Sequence, residues 1–370
     1  MPKNASQSAN VEKTLISPRV DLLLGGGLSL VIALIVIVYG SINVTSMDGA
    51  LIAVGTYLFT DLLINAPHFM ASYRVLYSRR DNFRKHPLVT IVAPVLGIGL
   101  IAYVGLWSYR NSLTIESGQS GALPFPMIVL NALAPVLLGW HYVGQSWGTT
   151  ACFASLSGFR MTSTHRRLIR VGFYALFLYH ITWGCQAMGL LEAWYPQEDV
   201  GIYMMKALMS ACRVLVLASF VLGAAGFWLL GKSQQRIVPL KVWLPWCATY
   251  SWYVMVDVYP QSFFLLQIFH ALQYLMFPAR VEMNEHCRDG SMKMHMLLYY
   301  LSLVVIGFVV FEWTQILGWT AGGVVPRYFL MMGTATMMVV NVHHYFTDAV
   351  IWKIRDPVVR KSVFGHLDAT

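Results

Sequence analysis

Long apolar stretches separated by short polar or basic connections run along almost the whole chain. They fall at residues 22–39, 49–73, 88–108, 124–147, 168–190, 202–230, 238–257, 260–279, 295–317 and 328–352. Most reach or exceed the roughly 18 residues that mark a membrane-crossing helix, and they do not alternate apolar and polar positions as barrel strands do. The pattern predicts an all-α fold, a polytopic transmembrane helix bundle of about ten spans. A polar N-terminal tail (1–20) precedes a single integral-membrane domain (21–352), and a basic C-terminal tail (353–370) follows it. The first stretch is too long for a signal-peptide core and is read as a retained span. Pro67, Pro94, Pro135 and Pro245 lie inside spans and predict kinks or local breaks.

Composition agrees with this reading. The chain is 57% hydrophobic and only 12% charged, against about 25% charged in an ordinary soluble domain. The net charge of +9 does not point to nucleic acid, because the basic residues are sorted by the connections. With alternate connections placed on one side, all but four of the 26 Lys and Arg fall there, the exceptions being Arg110, Lys206, Arg213 and Arg327. The positive-inside rule makes that side cytoplasmic and places both termini there. The five cysteines are scattered, with no C-x-x-C pair and no c-type haem attachment motif. No phosphate-binding loop, zinc finger or H-E-x-x-H is present. The surroundings implied are the lipid bilayer, with a bacterial inner (cytoplasmic) membrane as the expected location.

Histidines recur within the spans. His68, His141, His270 and the pair His343–His344 lie in the second, fourth, eighth and tenth stretches, each in the middle or cytoplasmic part. At about 1.5 Å rise per residue, His68, His270 and His344 stand roughly 10–15 Å from their basic anchors. Each belongs to a polar stripe at helical spacing: Asp61, Asn65, His68 and Ser72; His141 and Gln145; Gln267, His270 and Gln273; Asn341, His344 and Asp348; and His343 with Thr347. A metal-bound imidazole donates its second N–H to a neighbouring polar group, which suits such stripes. Polar groups in a lipid-facing helix are otherwise costly. The expected metal ligands are therefore His68, His141, His270, His343 and His344. Asp61 and Asp348 are the expected catalytic carboxylates. Asn65, Ser72, Gln145, Gln267, Gln273, Asn341 and Thr347 are the expected supporting groups. His180, on the fifth stretch, is assigned next to a cofactor. Arg213, in mid-span, is expected to pair with Asp61, Asp257 or Glu312.

Several neutral imidazoles with a carboxylate suit non-haem iron, and a membrane setting suits an apolar substrate. The first functional expectation is thus an iron oxygenase or oxidoreductase acting on a lipophilic small molecule, with an electron donor as a possible partner. Two histidines at one depth would equally serve as axial ligands of haem b, for electron or quinol transfer. Proton-coupled transport is a third reading of Pro-broken spans carrying Asp, Arg and His. The desaturase boxes, with H-x-x-H-H spacing, are absent. The fragment Trp140-His141-Tyr142 and the pair His344 and Asp348 resemble the bacterial Brp/Blh carotene dioxygenases. The resemblance implies an all-helical membrane enzyme whose iron is held by histidines from separate helices, with His141 and His344 among them.

Overall fold

The computed structural model describes residues 13–42, 60–112, 123–189, 198–287, 292–320 and 326–367. Residues 1–12 of the expected tail and 49–59 of the second expected span lie outside them. Every regular element among the described residues is helical. In chain order the longer ones are α1 (Pro18–Ile42), α2 (Ala66–Ser78, entered through a π-helical turn, Asp61–Asn65) and α3 (Ala93–Ser112, entered through another, Leu88–Val92). They continue with α4 (Phe125–Leu156), α5 (Ser163–Ala187), α6 (Glu198–Ser233), α7 (Leu240–Val258) and α8 (Phe264–His286). The last are α9 (Met292–Thr320), α10 (Arg327–Ile351) and the short α11 (Pro357–Phe364).

Seven of the described helical segments are long and apolar enough to cross a bilayer, so this is an integral multi-pass membrane protein. Helices α2, α7 and α10, at three of the expected span positions, are not among the seven. In α7 and α10 the sequence spends many positions on Trp, Tyr, His, Asn, Thr and Asp, which lowers mean hydropathy. Outward faces elsewhere carry exposed Val, Leu and Ile, such as Ile35, Leu96, Ile98, Leu217, Val221 and Val305. A surface of that kind suits hydrocarbon rather than water.

Prolines shape the helix that begins the site. Pro67 has no N–H to donate to Leu63, four residues back, and its ring crowds that carbonyl. The chain answers with the π turn Asp61–Asn65, and Leu63 O accepts instead from the Tyr300 hydroxyl of α9. Pro94 likewise follows a π turn, while Pro135, Pro245 and Pro278 lie inside continuous helices. In α1 the run Gly25-Gly26-Gly27 makes a third π turn. Gly26 holds φ +154°, and a Cβ there would lie 2.7 Å from the Leu244 carbonyl oxygen of α7. Gly25 O accepts from Gln273 Nε2 at 3.1 Å, which ties α1 to α8.

The centre of the bundle is α8, the most buried of the seven bilayer-length segments. Helices α2 and α4 each pack on both α8 and α10, so the four form a closed ring. α9 covers α2 and α10, α3 covers α10, α5 and α7 also pack on α4, and α6 and α1 pack in turn on α5 and α7. The C-terminal segment is not a free tail: α11 packs on α8, and Asn284 Nδ2 donates to Ser362 O at 2.7 Å. The N-terminal strand of chain is clamped as well, since Lys241 Nζ donates to Lys13 O at 3.0 Å and Arg280 Nε to Leu15 O. Arg213 pairs with Asp257 (Nη2–Oδ1 2.8 Å), which also accepts from Tyr179 at 2.7 Å.

Candidate metal centre

Inside the ring of α2, α4, α8 and α10, four imidazoles meet. Ring centroids lie 5.3 Å apart for His68–His270, 4.6 Å for His270–His141, 4.9 Å for His141–His344 and 4.8 Å for His344–His68. The diagonal His270–His344 is 6.5 Å. The order around this square repeats the order in which the helices pack. All four side chains are buried. Asp348, one turn beyond His344 on α10, turns Oδ2 to within 3.4 Å of His344 Nε2 and 3.7 Å of His141 Nε2. His68, His270 and His344 form one group with ligand atoms within 4.8 Å of one another, and His141, His344 and Asp348 form a second.

The nitrogens not facing the centre explain the orientation of those that do. His68 Nδ1 lies against the Asn65 carbonyl oxygen, which can only accept. Nδ1 therefore carries the proton and Nε2 a lone pair. That Nε2 is buried and has no hydrogen-bond partner. His344 is set by a longer chain. Trp352 Nε1 can only donate, and it does so to the Tyr274 hydroxyl at 3.0 Å. With Asp348 ionised, the phenol gives its one proton to Asp348 Oδ1 at 2.8 Å. Ser72 Oγ has one proton to give, and it faces two groups able to take it, the same phenol at 2.6 Å and the His68 carbonyl oxygen at 3.2 Å. Ser72 has no proton left for His344 Nδ1 at 2.8 Å, so His344 Nδ1–H donates to Ser72. Its Nε2 is left as a lone pair, buried and unpartnered. These are the orienting contacts that metal-bound histidines have.

His141 Nε2 and His270 Nε2 lie 3.0 Å apart. Two imidazoles bound to one ion at about 2.1 Å and a right angle would hold their nitrogens roughly 3.0 Å apart. Gln145 Nε2 donates to His270 O at 2.9 Å, which braces α4 on α8 at this level. His270 Nδ1 and Gln145 Oε1 are buried without partners. The two donor groups share His344, whose Nδ1 is occupied by Ser72. An ion at the His344 Nε2 could draw on both groups at once.

Several residues singled out in the sequence stand elsewhere. His343 faces α2 and the turn before α3: Nδ1 lies 3.2 Å from Tyr73 OH and Nε2 2.7 Å from Val89 O. Both nitrogens are used, and the 100° between neighbouring residues on a helix keeps it out of the ring. His180 Nδ1 pairs with Tyr253 OH at 3.1 Å. Asp61 is half-buried and accepts from Asn65 Nδ2 at 2.6 Å, one π turn before the ligand level. Asn341 donates to Met337 O and accepts from Tyr345 OH. Gln273 ties α8 to α1 and α4 through Gly25 O and Ser146 Oγ. Gln267 is half-buried, and the Thr347 hydroxyl is buried without a partner.

Three aromatic residues complete the site. Tyr274 is the hub of the Ser72–Asp348–Trp352 contacts, Trp352 is its donor, and the Tyr345 ring lies 4.5 Å from His141. Tyr274 follows His270 by four residues and Trp352 follows Asp348 by four, so the same-face spacing that marked the stripes extends to them. Beside the donors opens a cavity of about 280 Å³, whose lining includes His141, Tyr274, Phe277, Tyr345, Asp348 and Trp352. No protein family, curated protein or solved structure matches this chain.

Proposed function

We propose that this protein is a membrane-embedded enzyme with one non-haem iron ion, held by His68, His141, His270 and His344 with Asp348 beside them. We read its reaction as oxygenation or another oxidation of a lipophilic substrate. The observation that carries this reading is the pair of buried Nε2 atoms of His68 and His344 without a hydrogen-bond partner, each aimed by a hydrogen bond on its opposite nitrogen. A buried polar atom without a partner is destabilising, and a cation at the centre of the ring removes that cost for both. Neutral nitrogens with one carboxylate suit ferrous iron, and the crowding of four rings favours a bare ion over a porphyrin. Bound there, iron would supply O₂ activation. The chain's own part is to hold the ligands in one tautomer, exclude water, and keep Asp348 and Tyr274 as proton-handling groups on the cavity side.

The same reading includes ten spans with both termini in the cytoplasm of a bacterial cell, supported by the sorting of basic residues and by helices at all ten positions in the described residues. Insertion of a single oxygen atom would require two electrons from a donor partner, whereas insertion of both would require none. Metal analysis of protein purified in detergent tests the centre. The expected result is one iron per chain, no Soret band, and loss of the iron in both His344→Ala and His141→Ala. A stoichiometric Soret band, or full iron retention in both variants, overturns it.

A further inference from the structure

Glycine inside a helix destabilises it relative to alanine and is kept where something requires it. In most helical glycines here the requirement is a close neighbour: a Cβ at Gly172 would meet Tyr250 at 2.1 Å, at Gly223 Trp246 at 2.4 Å, and at Gly184 Pro135 at 2.5 Å. Gly144 and Gly148 of α4 differ, since a Cβ at either would meet nothing within 4 Å. Gly99 is equally open, and all three are exposed, but Gly99 lies on α3 and lines no part of the cavity. Gly144 and Gly148 instead line the cavity beside the metal-centre residues. They follow His141 by three and seven residues, so all three share one face of α4. Between His141 and Gly148 that face runs about 10 Å.

We infer that Gly144 and Gly148 set the width of the substrate cavity, leaving the α4 wall bare so that a slender, uncharged apolar chain lies along it with one end at His141 and Asp348. This rests on the reading of the ring as a catalytic centre. The lining also carries Phe277, Trp352 and Tyr345, flat rings that suit an apolar chain. Charge defines the occupant further. No Lys or Arg is among the described residues that line the cavity, and its acidic group is Asp348. An anionic headgroup lying away from the metal end would meet no Lys or Arg, so the site selects against fatty-acid anions bound head outward.

The test uses two photoreactive probes on the purified full chain. One is a neutral dodecane carrying an alkyl diazirine, and the other is its ω-carboxylate analogue. Peptide mass spectrometry then maps the crosslinks. The neutral probe is expected to label Phe277, Tyr345 or Trp352 at least tenfold more than the carboxylate probe. Labelling should fall in the graded series Gly148→Ala, Gly148→Leu, Gly148→Phe, and likewise for Gly144→Leu, while iron content stays unchanged and the melting temperature does not fall. Equal labelling by the two probes, or undiminished labelling in Gly148→Phe, overturns the inference. Should Gly148→Phe fail to fold, the Ala and Leu steps carry the same comparison. Labelling does not require iron. Graded blocking in a protein that never binds iron would therefore sink the catalytic reading alone, and an iron-loaded protein without labelling would sink the cavity assignment alone.

Discussion

Ser72 Oγ lies 2.8 Å from His344 Nδ1, and this contact joins α2 to α10 at the level of the four-histidine ring. Because Ser72 gives its one proton to the His68 carbonyl or to Tyr274, it receives one from His344 and so fixes which nitrogen of that ring faces the centre. Ser72→Ala removes the acceptor while leaving every proposed ligand in place. Loss of such an orienting partner typically costs about 10–100-fold in metal affinity. A chelator competition titration should show a shift of that order, and an unchanged affinity would refute the tautomer assignment.

The two adjacent histidines of α10 should behave differently. His344→Ala is expected to lose the metal. His343→Ala is expected to keep it and to lose about 1–3 kcal/mol of stability, because Tyr73 OH and Val89 O lose a buried partner. Iron content read beside the melting temperature separates the two outcomes.

Tyr274→Phe and Trp352→Phe form a graded pair. The first removes the hub of three contacts, to Ser72, Asp348 and Trp352, and the second removes one donor. Substrate-dependent O₂ consumption should fall further in Tyr274→Phe than in Trp352→Phe, with iron retained in the latter. The reverse order would mean that the phenol is not the hub.

Asp348→Asn keeps the acceptor for Tyr274 but removes the negative charge 3.4 Å from His344 Nε2. Removing a carboxylate from beside a bound cation weakens binding. Iron affinity is therefore expected to drop, while the fold, read by melting temperature, changes by less than in His343→Ala.

Away from the site, Gly172→Ala places a methyl group 2.1 Å from the Tyr250 hydroxyl, which pairs with Ser219 at 2.8 Å. Overpacking of this kind costs about 1–3 kcal/mol. Thermal unfolding should show a lowered midpoint, with iron content per folded chain unchanged.

The amino-acid sequence alone determined the helical membrane class, since long apolar stretches leave the backbone no other way to satisfy its hydrogen bonds in lipid. It also determined which helices carry imidazoles at comparable depth, because helical rise converts residue counts into height. It named His68, His141, His270, His344 and Asp348, residues that the fold places together, but it also counted His343 as a ligand, and it could not tell Gln145, which braces His270, from Gln273, which holds α1. Those distinctions depend on the rotation of each helix about its axis, and that is set by packing against neighbours far along the chain. The sequence also contained Gly144 and Gly148 without revealing their use, because an empty space beside a glycine exists only once the surrounding walls are in place. The tertiary structure decided these points: it closed α2, α4, α8 and α10 into a ring, and that closure gave four separate histidines one shared centre.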